Sequence, residues 1–296
     1  MSYVDPIEEM REKRKKQKQG AIDKLNALIK NKIQLKRPVF FVPGWTDESC
    51  ACWIKSERNN ICIKDWFDKI CSNPEDSQYI NFEKETSQCK SFIDFGEVLK
   101  NKVWDYIGKD KEFDIVGHSM GGLDIRAALI AEKPLLNARN CLTVATPHQG
   151  DNFGGMNIWL RNTPFIRSLV NKIMPEKPYQ ILQGRSLDPD YEQIKFINTP
   201  ENKILFLQMV EKLCQFKGTM DFTVKGSAYI NETGINGQLC KDKIVPVEID
   251  GADHVGKIGI TQDPRTVLTI VMILLGLKLE DPKKNHGIFI GGIQSW

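Results

Sequence analysis

The pentapeptide Gly117-His118-Ser119-Met120-Gly121 constrains this chain more than any other feature, because of what flanks it. Before it runs Phe113-Asp114-Ile115-Val116, a short apolar stretch that reads as a buried strand. After it runs Gly122-Leu123-Asp124-Ile125-Arg126-Ala127-Ala128, which reads as a helix. A serine on so sharp a strand-to-helix turn is held in a strained backbone conformation. Only small residues two before and two after it leave room for the helix to cross close to the strand. The turn lifts the hydroxyl into the crevice above the sheet. It also leaves the backbone N–H of Met120 free at a helix N-terminus, where an oxyanion can bind. A glycine-rich turn with an incidental serine would need neither the strand nor the helix, so Ser119 is the candidate nucleophile.

The remainder of the chain repeats the alternation of strand and helix. Val39-Phe40-Phe41-Val42 follows Pro38 and ends in Pro43-Gly44-Trp45, a buried strand running into a tight turn. A polar, cysteine-bearing loop extends to about residue 90, and Phe95 to Ile107 has helical periodicity. Leu123 to Ala131 is a helix and Cys141 to Ala145 a third strand. This pattern predicts an α/β fold with a mostly parallel sheet flanked by helices. Residues 151 to about 220 mix helical patterns with prolines and are expected to form a helical cap or lid inserted between strands. Its apolar run (Phe153, Met156, Trp159, Leu160, Phe165 and Leu169 among others) would face an acyl pocket or lipid surface, or simply pack on the core. An extended segment, Phe222 to Ile230, a loop to Val247 and a final buried helix follow. The expected organisation is an extension over 1–37, a main domain over 38–280 and a tail over 281–296.

The extension is basic from Arg11 to Lys18. Ile22, Leu25, Leu28, Ile29 and Ile33 then recur at helical spacing between Ala21 and Lys36. This basic amphipathic helix either packs on the domain with a solvated charged face or makes a peripheral membrane contact through residues 11–36. The formal net charge of +3 on 296 residues is too small for a polyanion binder, so no nucleic-acid partner is expected. The longest apolar run, Val267 to Leu279, is interrupted by Thr269 and Lys278 and falls short of a membrane span. Met1 to Gly20 is charged where a signal peptide would be apolar, which points to the cytoplasm. Of eight cysteines, five lie between Cys50 and Cys89, and without a signal sequence free buried thiols are favoured over bridges. There is no paired C-x-x-C, and histidines 118, 148, 254 and 286 are scattered, so neither metal nor cofactor is expected.

Four segments in order resemble the α/β-hydrolase superfamily, in its lipase and esterase branch. They are Val39-Phe-Phe-Val-Pro-Gly-Trp45, Gly117-His-Ser-Met-Gly-Gly122, Ala145-Thr-Pro-His-Gln-Gly150, and Lys241-Asp-Lys-Ile-Val-Pro246 with Asp253-His254. The resemblance implies Ser119 as nucleophile, with the backbone N–H groups of Met120 and Trp45 as oxyanion donors. Pro43-Gly44 stands where lipases often have His-Gly, which leaves the backbone donors intact. The chain order in such enzymes is serine, acid, histidine. His254, just before the final helix, is therefore the expected base, with His148 as the rival. His118 adjoins the nucleophile, so its ring is expected to point away into the turn, and His286 belongs to the tail. Asp242, three residues before Val245-Pro246, matches the pattern of the acid, with Asp250, Asp253 and Asp151 as rivals. The implied activity is hydrolysis of lipid or other apolar esters, small-molecule substrates, through a Ser119–His254–Asp242 triad and an acyl-enzyme. A thioesterase or acyltransferase would use the same triad, and a non-catalytic binding protein could keep the fold.

Overall fold

A computed structural model describes residues 5–44, 50–55, 61–89, 91–150, 192–221, 243–254 and 259–277. Trp45, Asp151, Asp242, His286, most of the expected insertion and the expected tail lie outside the described residues.

Among the described residues, six strands form one parallel sheet in the order β2-β1-β3-β4-β5-β6. They are β1 (Val39–Val42), β2 (Ser77–Tyr79), β3 (Phe113–His118), β4 (Ala138–Val144), β5 (Lys212–Gly218) and β6 (Ile244–Ile249). The described helices are α1 (Pro6–Asn31), α2 (Ala51–Ile54), α3 (Ile63–Ile70), α4 (Phe92–Ile107), α5 (Gly121–Ile130), α6 (Glu192–Ile197), α7 (Pro200–Met209) and α8 (Pro264–Leu274). Successive side chains of a strand point to opposite faces, and both faces here are covered, so the central strands read as unbroken apolar runs. Phe41, Val116, Leu142, Val144, Cys214 and Phe216 join the core beneath α1, α3 and α8. Phe40, Val42, Phe113, Ile115, Cys141 and Leu213 join the core beneath α4, α5 and α7.

Helix α1 begins at Pro6, ahead of the expected Ala21. Asp5 accepts from the N–H of Ile7 as N-cap, Pro6 occupies the first turn, and Glu8 and Glu9 complement the positive end of the dipole. The helix takes in the basic run and stops at Asn31, short of the expected Lys36. Ala21 and Leu25 are fully buried, and α1 packs on α8, whose residues Arg265 to Leu274 are all buried. The expected extension is thus docked on the domain.

Residues 212–218, expected within the insertion, form the sheet strand β5. Lys212, Gln215 and Lys217 interrupt its apolar pattern, which hides it from periodicity. In β6, expected as loop, Pro246 breaks the reading; among the described residues β6 is an edge strand, and an edge strand tolerates proline where its backbone need not donate. Cys71, Cys89, Cys141 and Cys214 are free thiols. No helix among the described residues is long and apolar enough to cross a membrane.

Candidate active site

The turn after β3 has the strain its sequence predicts. Ser119 has φ of 52°, in the left-handed region that a non-glycine residue adopts at a cost. It is held there by its N–H donating to Val144 O at 2.9 Å and its carbonyl accepting from Gly122 N–H at 3.2 Å. The crossing of α5 over the neighbouring turn is as close as backbone permits: a Cβ on Gly121 would lie 2.2 Å from the carbonyl oxygen of Pro43. A Cβ on Gly44 would lie 2.7 Å from that of Ser119, so the turn after β1 abuts the nucleophile. Met120 opens α5, and among the described residues no backbone carbonyl accepts from its N–H. That donor is available for an oxyanion.

His254 supplies the imidazole. Its Nε2 lies 2.9 Å from Ser119 Oγ, and its Nδ1 lies 3.0 Å from Asp221 Oδ2. An ionised carboxylate only accepts, so Nδ1 carries the proton and Nε2 is left to accept from the serine hydroxyl. Asp221 is 2% exposed and His254 8%, so this relay is shielded from water that would compete for its hydrogen bonds. Strand β6 is three places from β3 in the sheet, roughly 14 Å at the usual strand spacing. The loop carrying His254 must therefore lean back over the ends of β5 and β4, and Asp221, just beyond β5, stands along that path.

The structure brings together Ser119, Met120 and His254 of the expected residues. The carboxylate that meets His254 is Asp221, which was not among the candidates; Asp242 and Trp45 lie outside the described residues. Two rivals for the acid are engaged elsewhere. Asp253 accepts from the N–H of His254, and Asp250 accepts from Arg14 and Thr219. Lys212–Gly218 carries the signal for Asp221, a carboxylate shortly after a late strand, but the polar residues of that strand hide it inside the expected insertion.

The other histidines do different work. His148 is fully buried, with Nε2 2.9 Å from Thr143 Oγ1 and Nδ1 3.5 Å from Arg126 Nη1. Arginine only donates, so Nδ1 accepts and Nε2–H donates to the threonine. Burial and the adjacent guanidinium push its pKa well below the ordinary range. Arg126 also donates to the carbonyls of His148 and Ile197, which ties the loop after β4 to α6; burial lowers its pKa to about 9. His118 departs from expectation. Its ring reaches across the site, and Nε2 donates to the carbonyl of His254 at 3.2 Å, while Trp53 packs edge-on at 6.0 Å. The return of the β6 loop over the sheet brings an acceptor within its reach. Burial and the neighbouring His254 push the His118 pKa down to about 3, so it stays neutral.

No family model matches the sequence, and no curated protein matches it. Solved structures do. The mature form of the Bacillus licheniformis lipase BlEst2 superposes with a TM-score of 0.52 at 19% identity, over 83% of this chain and 94% of that one. Its propeptide form superposes with a TM-score of 0.50 at 19% identity, over 86% of this chain and 53% of that one. At such identity the likeness is one of fold. Together with the six-stranded parallel sheet, it identifies the α/β-hydrolase fold.

Proposed function

We propose that this chain is a serine-dependent carboxylic ester hydrolase acting on lipid or other apolar esters. The observation that carries the reading is the continuous relay from Ser119 Oγ to His254 to Asp221, at 2.9 and 3.0 Å, on a strained turn. A serine hydroxyl is a poor nucleophile until a base takes its proton. In the proposed reaction His254 Nε2 accepts that proton as Ser119 Oγ attacks the ester carbonyl, and Asp221 holds the ring and balances the imidazolium. The tetrahedral oxyanion is received by Met120 N–H, with Trp45 N–H as the second donor that the family resemblance implies. His254 then protonates the leaving alcohol, and a water activated by the same imidazole releases the acid. Asp221 replaces Asp242 in this reading because it is the carboxylate within hydrogen-bond reach of Nδ1.

The preference for apolar esters is supported by the fold's likeness to a protein named as a lipase and by the apolar composition of 153–169. Peripheral contact with an anionic membrane would fall to the outward Arg11, Lys15 and Lys16 of α1, since Arg14 and Lys18 engage Asp250 and Asp263. Co-sedimentation with phosphatidylserine vesicles that survives Lys15→Glu with Lys16→Glu would rule that contact out.

Covalent labelling by a fluorophosphonate tests the activity. Wild type is expected to label, Ser119→Ala to be silent and His254→Ala to be slowed by about 10³-fold or more. Labelling that survives Ser119→Ala places the nucleophile elsewhere, and a folded wild type that never labels sinks the reading.

A further inference from the structure

We infer that Arg14 of α1 is a positioning residue for the acid and base, clamping the loop after β5 to the loop after β6. This rests on the triad reading above. Asp221 lies three residues beyond Gly218, the end of β5, and His254 five beyond Ile249, the end of β6. The two loops are laced together: Thr219 N–H donates to Ile249 O at 3.1 Å, Met220 N–H to Ala252 O at 3.0 Å, and Gly251 N–H to Thr219 Oγ1 at 2.8 Å. Thr219 in turn donates its hydroxyl to Asp250 Oδ1 at 3.1 Å. Asp250 is thus the junction, and its carboxylate is fixed by Arg14 through a two-pronged contact, Nε to Oδ2 at 2.9 Å and Nη2 to Oδ1 at 3.0 Å.

Two further features show that the loop is shaped around that guanidinium. Gly251 has φ of +72°, and a Cβ there would lie 2.8 Å from Arg14 Nε, so the arginine lies against bare backbone. The carbonyl of Asp250 accepts from Arg265 Nη2 at 2.7 Å, and Arg265 is gripped by Asp263, which Lys18 of α1 approaches to 3.1 Å. Helix α1 therefore reaches the loops through two cations one helical turn apart. The Arg14–Asp250 pair is about a quarter exposed on each side, 26% and 24%, and such pairs add little to stability. Its effect is geometric: small misplacements of catalytic groups cost far more rate than the contact is worth in folding. Fork geometry matters, since an ammonium would hold Asp250 at one point and leave it free to turn.

The test is turnover of a short-chain p-nitrophenyl ester by wild type, Arg14→Ala, Arg14→Lys and Thr219→Val, each alone and combined with Asp221→Asn, with thermal unfolding alongside. Arg14→Ala is expected to lower kcat about tenfold while KM stays within about twofold. Arg14→Lys should recover only part of that loss, and Thr219→Val, which leaves the Arg14–Asp250 pair in place, should reproduce it. In the Asp221→Asn background Arg14→Ala should cost less than about twofold, because the brace acts by registering the acid against the base and that carboxylate–imidazole contact is already lost. Equal losses in both backgrounds, or a lowered unfolding temperature with wild-type kcat, would overturn the inference while leaving the hydrolase reading intact. Should Arg14→Ala fail to fold, Thr219→Val alone decides between the same outcomes. Wild type without turnover would overturn the hydrolase reading first and this inference with it.

Discussion

The turn bearing Ser119 and the pair of loops bearing Asp221 and His254 are built on different terms. At the turn, the main requirements fall on its own short segment: a buried strand, a residue tolerating φ of 52°, and a glycine where α5 crosses the turn after β1. In the loops, each requirement is met from afar. Asp221 is fixed by β5, His254 by the return of the β6 loop, and their mutual registration by Thr219, Asp250 and an arginine 236 residues away in the chain. A locally specified element tolerates little change in its own residues. One specified at long range tolerates change in sequence but depends on distant supports.

The sharpest way to break that contrast is to move the acid. Asp221→Asn leaves the shape of the site but offers Nδ1 an amide, and kcat should fall about 10⁴-fold. Asp242→Asn should stay within about twofold of wild type in the same steady-state assay. A collapse on Asp242→Asn instead would return the acid to the expected position. Stability separates the regions next. Gly121→Ala forces a Cβ onto the Pro43 carbonyl with no flexible neighbour to yield, and should cost about 3 kcal/mol in urea unfolding. Gly251→Ala meets the end of a long side chain and a positive φ, and should cost about 1–2 kcal/mol. A reversed order would mean that the loops, not the turn, carry the tighter local constraint.

The pH dependence probes the histidine beside the nucleophile. His118 is held neutral with its pKa lowered to about 3, so the unfolded chain takes up a proton that the fold refuses as pH drops below about 6.5. The stabilisation is complete above that value and declines towards pH 3, by about 2 kcal/mol at pH 5. His148, also depressed by burial, adds a loss of the same sign. His118→Phe should flatten the fall in stability between pH 7 and 5. It should also reduce kcat by about threefold through loss of the hydrogen bond to the His254 carbonyl. An unchanged slope would show that His118 is protonated in the fold.

The central strands β1, β3 and β4, helices α4, α5 and α8, and the turn that bears Ser119 and Met120 could be read because apolar runs and turn glycines record local demands directly. Strand β5 could not, since Lys212, Gln215 and Lys217 alternate with apolar residues on a chain segment whose partners lie on either side in space. Missing that strand hid Asp221, which is recognisable only as a carboxylate following it. The aspartate at 242 matched a pattern of sequence, but the residue against Nδ1 is decided by which strand end lies along the returning loop. Likewise the basic run from Arg11 gave a helix without revealing that Arg14 and Lys18 face Asp250 and Asp263, because nothing near them in sequence records it.

The docking of α1 on α8 has a consequence in time. A ribosome releases residues 6–31 long before β6 and α8, so the helix must wait in an unfinished chain for the surface that buries Ala21 and Leu25. Contacts this distant along the chain close late and slow folding. The step that completes the hydrophobic cover of α8 also delivers the guanidinium to Asp250. Nascent chains that stop before β6 would thus carry Ser119 without His254 beside it, so the two side chains meet only in the finished chain.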